Sequence, residues 1–178
     1  MVENRFLKLM IYVCNYAYGS EVKNCKMYNC DRDGITLGCL PNGLIQNCEI
    51  YNCNQCSIDI ESTGYFDYAT IFDGLKCGYV SCTTAHDMEF KNSRILYLKG
   101  SSPNIRINNC EIDTLEFHWI KFDDPFHNIS MPRRIVKDSI IRNSLLAAFT
   151  IFENTVIGGY KADDHYKSVY NRSNKIVG

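Results

Sequence analysis

Two carboxylates one residue apart, Asp59 and Glu61 in "SIDIE" (57–61), are the pair best placed for chemistry in this 178-residue chain. In an extended strand Ile58 and Ile60 turn to one side and Asp59 and Glu61 to the other. That sets the two carboxyl groups about 6.5–7 Å apart. Hydrolysis of a glycosidic bond needs carboxyl groups about 5–9.5 Å apart, one as acid for the leaving oxygen and one as base or nucleophile. Crowding raises the pKa of one member, so that it stays protonated as the acid. The alternation recurs in "HDMEF" (86–90), where Asp87 and Glu89 flank Met88, and in "LEFHW" (115–119), where Glu116 and His118 flank Phe117. With these strands in register, Asp59, Glu61, Asp87, Glu89 and Glu116 form one acidic column. Asp59 and Glu61 are then the candidate catalytic pair, with Asp87 and Glu89 as alternates. Glu116, His118, Tyr65 and Tyr97 are candidates for substrate contact, and Tyr68 and Tyr79 add further faces for sugar stacking. The plain alternative is that outward acids only keep a strand surface soluble and unpaired.

Such a column requires stacked strands, and a repeat supplies them. "VKNCKMYNCDRDGITL" (22–37) lies over "IQNCEIYNCNQCSIDI" (45–60) without a gap, matching Val22 to Ile45, Met27 to Ile50, Ile35 to Ile58 and Leu37 to Ile60. Shorter copies follow as "IFDGLKC" (71–77), "FKNSRI" (90–95), "RINNCEI" (106–112), "VKDSII" (136–141) and "FENTVI" (152–157). The shared phrase is apolar, any, Asn or Asp, small, any, apolar. Asn at its centre tolerates the left-handed backbone of a tight bend and bonds locally. The small residue fits where two strands converge, and alternation supplies inward apolar residues on both sides. No unit buries its face alone, so the units stack.

The repeat also explains the ten Cys. Cys25 lies over Cys48 and Cys30 over Cys53, in register with Ile and Met, as core positions do. A zinc reading rests on the C-x2-C of Cys53 and Cys56 and lacks a second pair of ligands at matching spacing. Disulfides between neighbouring coils are the other alternative, since stacked strands lie about 4.8 Å apart.

The net charge of −1 gives no support for a nucleic-acid partner. No apolar run approaches the ~18 residues of a membrane span, and the N-terminal stretch is not read as a signal peptide. Breakers fall at 38–43, 61–67, 99–104 and 123–134, the last read as a loop jutting from the scaffold. "CDRDG" (30–34) reads as a turn in which Asp31 bonds its own backbone rather than as a cation loop. "LLAAFTIF" (145–152) fits a buried strand pair or a short helix across the coil.

Across 30–62 the phrases "DGITL", "NCEI" and "SIDIE" resemble those of right-handed parallel β-helix proteins of the pectate-lyase-like superfamily, above all phage tail spikes and related bacterial proteins. The resemblance implies an all-β, right-handed parallel β-helix of six or seven coils. Residues 1–19 would form an N-terminal strand or cap segment, 20–160 the β-helix and 161–178 a polar tail. It implies a virion or cell-surface protein assembled in a reducing cytoplasm, binding a polysaccharide or cell-surface glycan and associating as a homotrimer. The fold hosts both catalysts and inert stalks. One expectation is therefore a structural or receptor-binding β-helix that holds polysaccharide without turnover. The other is a depolymerase, a glycoside hydrolase rather than a lyase, acting through the carboxylates. Lyases of the superfamily use basic residues and Ca²⁺ against acidic sugars. Arg94, Lys99 and Arg106 are the basic residues available, and the register drawn above sets no basic cluster against the acidic column. No cofactor is expected, with Ca²⁺ the one alternative.

Overall fold

The computed structural model describes residues 11–13, 18–38, 42–61, 69–82, 87–102, 104–118, 133–147, 150–159, 169–170 and 174–177. Every regular element among them is a strand. β1 (Ile11–Val13) precedes a first turn of β2 (Glu21–Lys23), β3 (Lys26–Tyr28) and β4 (Ile35–Leu37). The second turn is β5 (Leu44–Gln46), β6 (Glu49–Tyr51) and β7 (Ile58–Ile60). From there each turn holds one strand and a partner, usually longer: β8 (Thr70–Asp73) with β9 (Lys76–Cys82), β10 (Met88–Lys91) with β11 (Arg94–Gly100), β12 (Asn104–Asn108) with β13 (Glu111–Phe117), and β14 (Arg133–Lys137) with β15 (Ile140–Ala147). β16 (Thr150–Glu153) with β17 (Val156–Gly158), then β18 (Val169–Tyr170) with β19 (Lys175–Val177), complete the coil.

All pairings are parallel. The even-numbered strands from β8 on, with β2 and β5, make an 8-stranded sheet B; the remainder make an 11-stranded sheet A. The chain therefore crosses between the sheets at one corner by the Asn turn and returns at the other by loops of varied length. The gap-free repeat is realised in the ladder: Val22 pairs with Ile45, Met27 with Ile50, Ile35 with Ile58 and Leu37 with Ile60. Between Tyr51 and Ser57 the second turn makes an excursion that β9 lacks. Gly78 stands opposite its base, where its amide donates to Ser57 Oγ at 3.1 Å and a Cβ would press on that same oxygen.

Left-handed backbone marks the corner. Asn24, Asn47, Asn92, Asn109, Asp138 and Asn154 have φ between 46° and 56°, with Gly74 at 64° in the remaining rung. Behind each Asn or Asp stands the small residue, and behind Gly74 the buried Leu75. Ser93 Oγ donates to Lys91 O (2.6 Å) and accepts from Leu75 N (3.0 Å), and Ser139 Oγ repeats this with Lys137 O (2.6 Å) and Cys110 N (3.0 Å). A hydroxyl there satisfies backbone groups that the bend removes from the ladder.

The interior is filled by columns of like residues. Ile45, Phe72, Phe90 and Ile107 run through sheet B, with the Phe72 and Phe90 rings stacked at 4.6 Å. Ile50, Cys77, Ile95, Ile112, Ile141 and Ile157 face them from sheet A. The eight described cysteines are free thiols, and six of them are buried. Burying these columns is the main driving force for stacking, at about 25 cal/mol per Å² of apolar surface.

Two expectations shift, and of two alternatives for 145–152 the strand pair holds. The stretch 161–178 contains two strands that extend both sheets, Val156 pairing with Lys175 and Ile157 with Ile176. The loop expected over 123–134 gives way to β14 at its last two residues, because Arg134 is buried. The run 145–152 closes β15 and opens β16, and its Leu145 side chain faces solvent.

Candidate functional site

Parallel strands in register place outward side chains in straight columns. On sheet A one column reads Thr36, Asp59, Ser81, Lys99 and Glu116. Each step is one strand spacing, about 4.8 Å. The neighbours along each strand, Ile58 and Ile60, Val80 and Cys82, Leu98 and Gly100, Leu115 and Phe117, are all buried. Alternation therefore turns the column away from the core, where Asp59, Lys99 and Glu116 are partly exposed and Thr36 and Ser81 are covered. Beside it Tyr79 and Tyr97 occupy adjacent rungs and stack at 5.1 Å.

At one end Glu116 gathers three partners. The Tyr97 hydroxyl donates to Oε2, His118 Nε2 meets Oε1, and Lys99 Nζ stands 3.5 Å from Oε1. The Glu116 side chain is only 16% exposed, so these contacts form largely out of water, where they hold its orientation. His118 is fixed from behind. Its carbonyl accepts from Arg134 Nη2 at 2.7 Å, and the same guanidinium donates to Ser101 O and Ser102 O, both at 2.9 Å. Phe117 lies 5.2 Å under the guanidinium carbon. Burial lowers the Arg134 pKa to about 10, which leaves it charged at neutral pH.

At the other end Asp59 meets Glu61, Ser81, Asp33 and Cys56. Burial first, then the hydrogen bond and charge of Glu61, push the Asp59 carboxyl up to about 6. Asp33 is 1% exposed, takes the Cys56 amide on Oδ1 at 2.9 Å and the Thr36 hydroxyl on Oδ2 at 3.3 Å. Asp33, Cys56 and Asp59 bring potential ligand atoms within 4.8 Å of one another. The donor set does not suit Ca²⁺, which takes six to eight oxygens. Burial also pushes the Cys56 thiol up to about 12, so it is a protonated and poor ligand at neutral pH.

A family model for the right-handed β-helix region matches residues 9–176. The chain belongs to that family. No curated protein and no solved structure matches it. In a right-handed β-helix the ladder is the rigid part, and what it does depends on the side chains it displays.

This β-helix brings together only part of the acidic column expected from alternation. Asp59, Glu61 and Glu116 share the outward face of sheet A, as do Tyr97 and His118. Asp87 and Glu89 do not: they lie on sheet B, where Glu89 sits between Ile71 and Arg106 and pairs with Lys91 at 3.3 Å. Alternation identifies outward residues but not the sheet they stand on, and β8 and β9 intervene between the two acidic phrases. Tyr65 and Tyr68 lie outside the described residues. The register drawn from sequence set no basic cluster against the acids; in the ladder a single base, Lys99, stands between Ser81 and Glu116. Asp33, Ser81 and Arg134 were missed as site residues. Asp33 reads as one more turn acid in "DRDG", and nothing in "PRR" marks its second Arg as buried.

Proposed function

We propose that this β-helix protein is a surface protein that holds a polysaccharide lengthwise along the outward face of sheet A. The observation carrying the reading is the unbroken column Asp59–Ser81–Lys99–Glu116 with the Tyr79–Tyr97 stack beside it. A sugar chain lying along the coil axis meets the Asp59 carboxylate, the Lys99 ammonium and the Glu116 carboxylate, while the buried Ser81 hydroxyl bonds Asp59 from the side. The groups sit on strands rather than on loops, so little conformational entropy is lost on binding. Glu116 is oriented by Tyr97, His118 and Lys99 to accept from sugar hydroxyls, and Lys99 favours chains carrying acidic units. Affinity electrophoresis through gels containing neutral or acidic polysaccharides tests this. Retardation by at least one glycan should weaken about tenfold in Glu116→Gln or Lys99→Ala, the scale of one charge-assisted hydrogen bond. Equal mobility of wild type and both variants in every gel rules the reading out.

A second reading is glycoside hydrolysis at Asp59 and Glu61. It is favoured by the Asp59 carboxyl held at about 6, although the hydrogen bond to Glu61 draws the pair closer than the roughly 6.5–7 Å that strand spacing predicts; sharing a proton keeps one acid partly protonated near neutrality. Release of reducing ends by wild type but not by folded Asp59→Asn or Glu61→Gln supports it. Turnover that survives both substitutions removes it. The surface reading extends to a homotrimer on a virion or cell, and light scattering that returns a monomer mass would exclude that assembly.

A further inference from the structure

Sheet B also turns columns away from the core, and its central one is mostly aliphatic. In register it reads Leu44, Ile71, Glu89, Arg106, Ile135 and Ile151, each about 4.8 Å from the next. The residues on either side of each along its strand are buried, so alternation points these six outward. None of the six is buried, and Ile151 is 37% exposed. The column beside it runs Gln46, Asp73, Lys91, Asn108, Lys137 and Glu153. Four aliphatic side chains thus line an outer face on which no described strand packs.

The central column has a symmetry of its own. From either end it runs two aliphatics and then a charge, and the two charges are opposite. Consider a second copy turned by 180° about an axis parallel to the strands and passing between β10 and β12. The turn reverses the order of rungs and keeps position along each strand. Leu44 then meets the partner's Ile151, Ile71 the partner's Ile135 and Glu89 the partner's Arg106, each contact occurring twice. In the flanking column Asp73 meets the partner's Lys137. No like charges stand directly opposite in either column. Neighbouring arrangements fail this. Moving the axis by half a rung sets Glu89 on Glu89 or Arg106 on Arg106. An axis along the coil sets Ile71 against Asp73 and Ile135 against Lys137, which buries charge on aliphatic groups. The cations are available for the first arrangement. Lys91 holds Glu89 within its own strand at 3.3 Å, while Arg106 and Lys137 make no ion pair among the described residues.

We infer that sheet B is the contact face of a symmetric homodimer, two coils packed back to back and running in opposite directions. The aliphatic pairs supply the burial. Glu89 and Arg106 of both copies form a square of alternating sign around the axis, and it sets the register. Sheets packed face to face lie about 10 Å apart, with their side chains interdigitating. The outward face of sheet A stays open on each copy. This dimer is a different assembly from the trimer of the surface reading, and the mass separates them.

Sedimentation velocity of the full chain from about 1 µM to about 100 µM tests this, and the mass should move from one chain towards two. Arg106→Glu and Glu89→Arg each set like charges across the axis and should raise the dimer Kd at least tenfold. The double variant carrying both changes restores opposite signs and should regain association to within about threefold of wild type. Ile135→Asp should leave a monomer, with Ile71→Ser as the milder probe of the same contact. Arg94→Gln, an exposed cation on sheet A, should change nothing. Thermal midpoints check that each variant is folded. A monomer at the highest concentration overturns the inference, and so does a trimer mass. So does a folded double variant that associates as weakly as either single one.

Discussion

Asn109 donates its side-chain amide to the side-chain oxygen of Asn92 on the neighbouring rung, 2.8 Å away, and both residues hold a left-handed backbone at φ 53° and 48°. The residue therefore does two things, and they separate by substitution. Asn109→Gly keeps the backbone and loses the amide bond, costing about 0.5–1.5 kcal/mol. Asn109→Ala loses the bond and also forces a Cβ into the left-handed region, adding about 1–2 kcal/mol. Urea denaturation should rank wild type, Gly and Ala in that order; Ala as stable as Gly would remove the backbone argument.

Arg134 holds three carbonyls, those of Ser101, Ser102 and His118, which close successive turns of the coil. Arg134→Met fills similar space but leaves those buried acceptors without their donor. The expected loss is about 3 kcal/mol or more in chemical denaturation. Arg134→Lys should recover only part of it, because an ammonium cannot reproduce the planar fork. Lys matching Arg in midpoint would show that the charge alone matters.

The Asp59 carboxyl has a folded-state pKa of about 6 against an ordinary 3.8. A raised acid pKa means that the fold prefers the protonated form. Its favourable contribution is complete below about pH 4 and is lost as pH rises through about 6. The groups facing it are Glu61, Ser81, Asp33 and Cys56, so the ionised form lies among acids. Asp59→Asn should leave the melting midpoint near wild type at pH 4 and raise it at pH 7.5. A substitution equally neutral at both pH values would deny the coupling.

Thiol reactivity should follow depth in the coil. Burial pushes the Cys77 and Cys82 thiols well above their ordinary range, and both are fully enclosed. Under native conditions iodoacetamide should label Cys25, which is partly exposed, well before either of them, and peptide mass mapping reads the order. Prompt labelling of Cys77 or Cys82 would contradict their placement in the core.

The first two rungs were legible in the chain because they have equal length, 23 residues apart, so residue matching and strand pairing coincide. The pairs Val22–Ile45 and Ile35–Ile58 follow from that alone. Beyond residue 60 the rungs differ, with corner residues 17, 29 and 16 apart in later turns. Asn92, Asn109, Asp138 and Asn154 still announce their corners, since only a few residue types accept that backbone cheaply. What lies across from what in the rest of each rung then depends on how much chain each loop absorbs.

The repeat phrase, its Asn corners and its period-two alternation are local properties, and by themselves they determined a stacked parallel coil with Ile, Phe and Cys inside. Tertiary structure alone decided which outward residues meet. Asp87 and Glu89 look like Asp59 and Glu61 in sequence, yet they stand on the other sheet, while Lys99 and Ser81 come between Asp59 and Glu116. Alternation has a period of two and carries only an inside and an outside. A coil has more than one outside, and the length of the intervening loops selects among them.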